Sequence, residues 1–272
     1  MSLVLDGPIV LIGAGNMGGA MALGWIKSGI AGSSIIAADP NPPEAIKSRF
    51  DGSGVRFVAE APRDVTASVI FVAVKPQVME AVLPAYAGLI GPETIVVSIA
   101  AGKTLAFLEA QLGAAAMVRA MPNTPAMIGR GVTGAFANDK VSAGQRALVD
   151  SLLKVSGPVE WVDSEALIDA VTAVSGSGPA YVFYLVECMA EAGRKLGLPA
   201  DLAMRLARAT VSGAGELLHQ SPGVPAELRR NVTSPGGTTA AALAELMAED
   251  GMQPLFDKAI KAARDRAREL AG

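Results

Sequence analysis

The apolar and polar positions of this chain fall into two regimes. As far as about residue 162, short and nearly continuous apolar runs alternate with stretches of helical periodicity; the runs lie at residues 8–12, 35–38, 69–74, 94–99, 117–121 and 132–137. Runs of this length, filled with Val, Ile and Ala at both alternating positions, predict strands covered on both faces. Their alternation with helices predicts a parallel, doubly wound α/β sheet. After residues 159–162 the pattern becomes almost purely helical, which places a domain boundary near residues 162–164: an α/β domain over 1–162 and an all-α domain over 163–272. Asp163 or Ser164 is placed to cap the first helix of the second domain, over 166–174, with Glu165 in its first turn. The segment Ser175-Gly176-Ser177-Gly178-Pro179 then breaks or kinks that helix, because proline removes a backbone donor and glycine is a poor helix former. Helical periodicity resumes over 180–196, 200–218, 225–231, 240–250 and 254–270, with no internal repeat and no low-complexity tail.

The first apolar run ends in Ile12-Gly13-Ala14-Gly15-Asn16-Met17-Gly18 and a helix over 17–27. Strand, glycine turn and helix form the dinucleotide arrangement: the first glycine makes the tight turn, the second lets backbone approach a pyrophosphate, and the third lets helix pack on strand. The second run ends in Asp39, 21 residues past Gly18, the spacing of a carboxylate that accepts from a ribose hydroxyl. A nicotinamide dinucleotide is the expected ligand; the alternative is a βαβ turn without one. Three more loops follow strand ends, where such sheets bind ligands: Ala73-Val74-Lys75-Pro76, Ala100-Ala101-Gly102 and Met121-Pro122-Asn123-Thr124-Pro125.

In the helical half, Thr233-Ser234-Pro235-Gly236-Gly237-Thr238-Thr239 interrupts Ala- and Leu-rich helix. Adjacent glycines uncover main-chain N–H groups, and Thr238-Thr239 stands at the start of the helix over 240–250, whose first turn attracts an anion such as a carboxylate. Read alone, the segment also fits a Pro-Gly turn with ordinary Ser and Thr caps.

Composition narrows the function classes. Half of the 272 residues are hydrophobic (51%), ample for a core, and a net charge of −3 with a pI near 5.3 supplies no basic surface for nucleic acid. The single Cys188 excludes an intramolecular disulfide framework; its apolar surroundings predict a small buried hydrophobe in a cytoplasmic protein. The start Met1-Ser2-Leu3-Val4-Leu5-Asp6 lacks a basic region, and no apolar run is long enough to span a membrane, so neither export nor insertion is expected. Small-residue stretches such as Ala190-Glu191-Ala192-Gly193 and Ser212-Gly213-Ala214-Gly215 predict close helix packing against a second copy, although alanine also favours helix for its own sake. No metal is expected, because no histidine pair, second cysteine or carboxylate ladder offers ligands.

The motifs GAGNMG, AVKPQ, SIAAG, RAMPNTPAMIG, SGSGPAY and TSPGGTT, in this order and over nearly the whole chain, resemble the pyrroline-5-carboxylate reductases. The resemblance implies a Rossmann domain followed by a helical dimerisation domain, with dimers often assembling into a decamer and each site shared between subunits. It implies hydride transfer from NADPH or NADH to the C=N bond of L-1-pyrroline-5-carboxylate, giving L-proline in the last step of its biosynthesis. By position, residues Ile12 to Met17 would hold the pyrophosphate, Ala73 to Pro76 and Ala100 to Gly102 would line the nicotinamide side, and Asn231 would reach the cofactor. Ser234, Gly237, Thr238 and Thr239 would hold the substrate, with the Thr239 hydroxyl on the ring nitrogen as the catalytic candidate.

That chemistry suits a site without a strong base, since a cyclic imine takes its proton from water and the protein's task is alignment. Lys75 is a lesser candidate, beside the presumed nicotinamide but equally a surface charge; His219, the sole histidine, reads as a solvated helix-end cap. Asp39 should repel a 2′-phosphate and accept from a free 2′-hydroxyl, so NADH should be used well even where relatives use NADPH; Ser33, Ser34 and Arg63 are the side chains that could reach a phosphate. Two other functions fit parts of the pattern. A hydroxyacid dehydrogenase of the 6-phosphogluconate type needs a helical lysine after its glycine-rich turn, and none appears between Pro179 and Lys195. A non-enzymatic dinucleotide-binding redox sensor would have no use for Ser234 or Thr239.

Overall fold

A computed structural model describes residues 5–63 and 65–271 of the chain, so that the first four residues of the amino-terminal segment lie outside the described part. Two compact units result: the residues up to Gly176 together with those from Ala263 onward, and Ser177–Ala262.

In the first unit, β1 (Ile9–Ile12) leads through α1 (Asn16–Lys27) to β2 (Ile35–Ala38), and a single turn, α2 (Glu44–Lys47), precedes β3 (Arg56–Val58). Then come β4 (Val69–Val72), α3 (Met79–Val82) with a 3-10 extension to Leu89, β5 (Ile95–Ser98), α4 (Leu105–Leu112), β6 (Ala116–Met121), β7 (Thr133–Ala137), α5 (Ala143–Lys154) and β8 (Val159–Trp161). They form one eight-stranded sheet in the order β3-β2-β1-β4-β5-β6-β7-β8. The order runs outward from β1 in both directions, which places the switch point, where open sheets bind ligands, at the carboxyl ends of β1 and β4, with the end of β2 alongside.

Alternate strand residues feed two cores. Ile9, Leu11, Val69, Phe71 and Val97 pack with Met21 and Trp25 of α1 and Leu152 of α5 on one face; Val10, Ile12, Ile70, Val72 and Val96 pack with Met79, Leu83 and Leu108 on the other. Coverage of both faces is why the strands read as unbroken apolar runs. Trp25 is fully buried, donates its indole N–H to the Leu152 carbonyl at 2.9 Å and meets Phe71 edge to face. Thr104 caps α4, and Ser142 with Gln145 forms a capping box on α5.

The sheet is mostly parallel, with one correction to the expected all-parallel arrangement: β6 and β7 are antiparallel, Arg119 opposite Phe136. The connecting segment, residues 122–132, holds only a 3-10 turn at Thr124–Ile128, and a parallel crossover needs about a dozen residues or more, usually including a full helix. The edge strand β3 was not expected either; it has three residues and no continuous apolar run.

Helix α6 (Leu167–Val171) passes into a π-helical turn, Thr172–Gly176. Neither Asp163 nor Ser164 caps it; the N-cap is Ala166, with no side-chain bond. Glu165 instead accepts the Leu105 N–H at 2.8 Å, at the start of α4, and pairs with Arg119 at 3.3 Å. Arg119, only 3% exposed, also pairs with Asp169 at 3.0 Å, and Arg268 reaches the other oxygen of Asp169 at 4.0 Å. A buried guanidinium between two carboxylates therefore ties β6 to α6.

The second unit contains α7 (Gly178–Lys195), α8 (Ala200–Gln220), α9 (Pro225–Asn231), α10 (Thr238–Leu246) and the first part of α11 (Met252–Ala271). The break predicted at 175–179 is real: Gly178 and Pro179 open α7, where the missing proline donor costs nothing. Helices α7 and α8 meet through Ala190, Ala203 and Ala207, whose small side chains allow close approach. Phe183, Tyr184, Leu185, Leu206 and Leu217 remain exposed on the same two helices. Cys188, expected to be buried, is exposed as well, because it lies on α7 among those uncovered apolar side chains.

Candidate active site

The glycine turn after β1 has the backbone of a dinucleotide cradle. Gly13 has a φ of 93°, closed to most L side chains, and its N–H donates to the Ala38 carbonyl at 2.9 Å. A Cβ on Gly18 would run into the Gly13 carbonyl oxygen, so this glycine lets α1 lie against the turn. A Cβ on Gly15 would meet nothing, leaving open space over the helix end. Gly15 is also the N-cap of α1; no side chain caps the helix and no acid stands in its first turn, so the first N–H groups remain for an outside anion. Asn16 and Met17 open that turn. These features fit a pyrophosphate. Gly18→Ala is expected to displace the turn at a cost of about 1–3 kcal/mol and to weaken dinucleotide binding roughly tenfold, which calorimetric titration of NADH would record.

Beside the turn opens a cleft of about 660 Å³. Ile12, Gly13, Asp39 and Val74, all anticipated from the sequence, line it. Pro40, Glu60, Val78, Val82 and Tyr86 line it too and carry no motif, since they come from the loop after β2, the loop after β3, the 3-10 turn before α3, α3 itself and its extension. Arg63 lies on its wall, as anticipated. Ser33 and Ser34 do not: they precede β2, at the opposite end of the strand. Both oxygens of Asp39 are engaged by backbone, Oδ2 accepting the Ala14 N–H at 2.8 Å and Oδ1 the Asn41 N–H at 2.9 Å. Burial raises the Tyr86 phenol above its ordinary pKa and the Asp39 charge pushes it the same way.

Of the remaining strand-end residues, Ala73 sits against the glycine turn, Lys75 is exposed at the start of the 3-10 turn Pro76–Val78, and Ala100 is buried while Ala101 is exposed. Gly102 has a φ of 69°, and a Cβ there would stand 3.0 Å from the Leu270 Cβ, so α11 packs directly on this loop. Asn123 is a clasp: its Nδ2 donates to the Ser175 carbonyl at 3.2 Å and its Oδ1 accepts the Val132 N–H at 3.0 Å, tying the loop after β6 to the π-helical turn.

The Thr-Ser-Pro-Gly-Gly-Thr-Thr segment occupies the second unit between α9, which ends at Asn231, and α10. Thr233 donates to the Arg229 carbonyl at 2.6 Å and so belongs to the end of α9. A turn follows, with the Gly237 N–H on the Ser234 carbonyl at 3.0 Å and Gly236 at a φ of 69°. Helix α10 begins at Thr238, two residues before the expected start, with Gly237 as N-cap and no side-chain cap. Its first-turn donors are therefore open, next to the hydroxyls of Ser234, Thr238 and Thr239, the last of these half-buried. Ser and Thr here do not serve as ordinary caps.

A nucleotide cradle at the switch point, followed by a helical unit with uncovered apolar faces, defines a dinucleotide-dependent oxidoreductase class with its own association domain. Residues 8–102 match the family model described as NADP oxidoreductase, coenzyme F420-dependent, and residues 165–270 match that for pyrroline-5-carboxylate reductase dimerisation. The chain is 46% identical to a pyrroline-5-carboxylate reductase of Pseudomonas aeruginosa over 97% of its length and 96% of that protein's. Among solved structures, a pyrroline-5-carboxylate reductase from Coxiella burnetii superposes with a TM-score of 0.89 at 36% identity, covering 98% of this chain and 99% of the other. The Plasmodium falciparum pyrroline carboxylate reductase, crystallised with NADP bound, gives 0.80 at 26% identity, covering 99% and 100%. The chain belongs to the pyrroline-5-carboxylate reductase family.

Proposed function

We propose that the protein reduces L-1-pyrroline-5-carboxylate to L-proline, the last step of proline biosynthesis, with NADH or NADPH as reductant. The observation that carries the substrate assignment is the open N-terminus of α10, a nine-residue helix with unpaired first-turn donors beside Ser234, Thr238 and Thr239. That arrangement suits a carboxylate attached to a small ring.

In this reading the division of labour follows the sequence boundary, with residues 1–162 for the dinucleotide and 163–272 for association and substrate. Ile12, Gly13, Ala14, Gly15, Asn16, Met17 and Gly18 form the pyrophosphate cradle, and Asp39 takes the ribose. Ala73, Val74, Lys75 and Pro76 with Ala100, Ala101 and Gly102 line the nicotinamide side, and Asn231 is the helical domain's contribution to the cofactor. When bound, the reduced nicotinamide supplies the electron pair for the C=N carbon. The chain's own residues bind and orient: Ser234, Gly237, Thr238 and the α10 N–H groups hold the carboxylate, while the Thr239 hydroxyl faces the ring nitrogen and fixes the plane of the imine. No side chain is required as a strong base, because water protonates the imine.

In this reading the protein acts in the cytoplasm as a homo-oligomer, either a homodimer or a decamer of such dimers, with neither nucleic acid nor membrane as partner. The exposed Phe183, Tyr184 and Leu185 support association, and among the described residues no helix is long and apolar enough to cross a membrane. The carboxylate assignment has a direct test. Pyrroline lacking the carboxylate should be reduced with a kcat/KM at least about 100-fold lower than the full substrate, two charge-assisted hydrogen bonds being lost. Equal rates for the two rings would remove the carboxylate from the site.

A further inference from the structure

The cleft beside the glycine turn carries a statement about cofactor choice that rests on the reductase reading and goes beyond it. Asp39 and Glu60 stand on its walls, and Arg63 is the sole cation among its described lining residues. Glu60 and Arg63 are exposed, so the arginine is free to turn toward solvent, whereas the Asp39 carboxylate is fixed by two backbone donors, Ala14 at 2.8 Å and Asn41 at 2.9 Å. We infer that this cleft selects the 2′-hydroxyl form of the dinucleotide over the 2′-phosphate form, and that Glu60 is a second specificity determinant beside Asp39.

The two acids act differently. Asp39 does two things with one group: it is the acceptor for a ribose hydroxyl, and through Ala14 it holds the glycine turn in the shape that receives the pyrophosphate. Its charge cannot rotate away from a phosphate without releasing the turn. Glu60 makes no such bond, so its effect is the electrostatic one alone. A 2′-phosphate entering between them meets two like charges at a partly exposed, solvent-screened site, so a preference on the order of tenfold, about 1.4 kcal/mol, is expected. Tyr86 adds a neutral donor to the same wall and no compensating positive charge.

The experiment is isothermal titration of the full-length protein, without substrate, with four probes: NADH, NADPH, ADP-ribose and 2′-phospho-ADP-ribose. The last two report on the cleft apart from the nicotinamide side. The wild type should bind each hydroxyl form about tenfold more tightly than its phosphorylated partner. Glu60→Gln, an exposed change that threatens no packing, should move the ratio several-fold toward the phosphate forms. Asp39→Asn, which keeps an oxygen for the Ala14 N–H, should move it further. Asp39→Ala should weaken all four probes, because the turn loses its acceptor. Equal or tighter wild-type binding of the phosphorylated probes, or a ratio indifferent to Glu60→Gln, would overturn the inference and leave the reductase reading standing. No binding of any probe would bring down both.

Discussion

Replacement of Arg119 by alanine is expected to destabilise the protein by about 3–5 kcal/mol, the range for removing one partner of a buried ion pair. The cause is the company Arg119 keeps. It is buried on β6 and neutralises Glu165 and Asp169, and its loss leaves Asp169, itself 7% exposed, with Arg268 at 4.0 Å as its remaining ion pair. Glu165 is further committed to the Leu105 N–H, so its charge cannot move away without giving up a hydrogen bond at the start of α4. Urea unfolding of the first unit's transition, followed through the buried Trp25, would measure the effect. Arg119→Met with Glu165→Gln and Asp169→Asn together should recover most of the loss, because neutral partners of similar shape remove the stranded charges. A single-variant loss below 1 kcal/mol would show that the network contributes little.

The second large effect concerns Thr239. In the first turn of α10, half-buried and beside the open helix donors, it is the hydroxyl placed to contact the imine nitrogen. Thr239→Ala should lower kcat/KM about 100-fold, close to 2.7 kcal/mol, the typical loss when one positioned polar contact to the reacting group is removed. Thr239→Ser should restore most of it, and the alanine variant should bind NADH as the wild type does. Unchanged kcat and KM in Thr239→Ala would strip the residue of its role.

What the sequence made visible and what it hid follow a physical division. Strands covered on both faces announce themselves as apolar runs, and a glycine turn between strand and helix is a local pattern, so β1, β2, β4 to β6 and the cradle could be read directly. The three-residue edge strand β3 has no buried run to reveal it, and the reversed β7 depended on the length of a loop rather than on its own composition. Arg119 and its partners are 46 and 50 residues apart, and nothing local in Glu165 distinguishes a first-turn acid of α6 from an acceptor for α4. The cleft is similar: Asp39 could be placed by its spacing from Gly18, but Glu60 and Tyr86 reach it only through the sheet order. Cys188 looked buried because its neighbours are apolar, and a single chain leaves that face uncovered.

The most direct test of the account follows the fall in absorbance of NADH and of NADPH with freshly prepared L-1-pyrroline-5-carboxylate and the wild-type protein, with proline measured as product. Turnover with both cofactors, one proline formed per reduced dinucleotide consumed, and the higher kcat/KM with NADH are expected. Dinucleotide binding without any proline formed would contradict it.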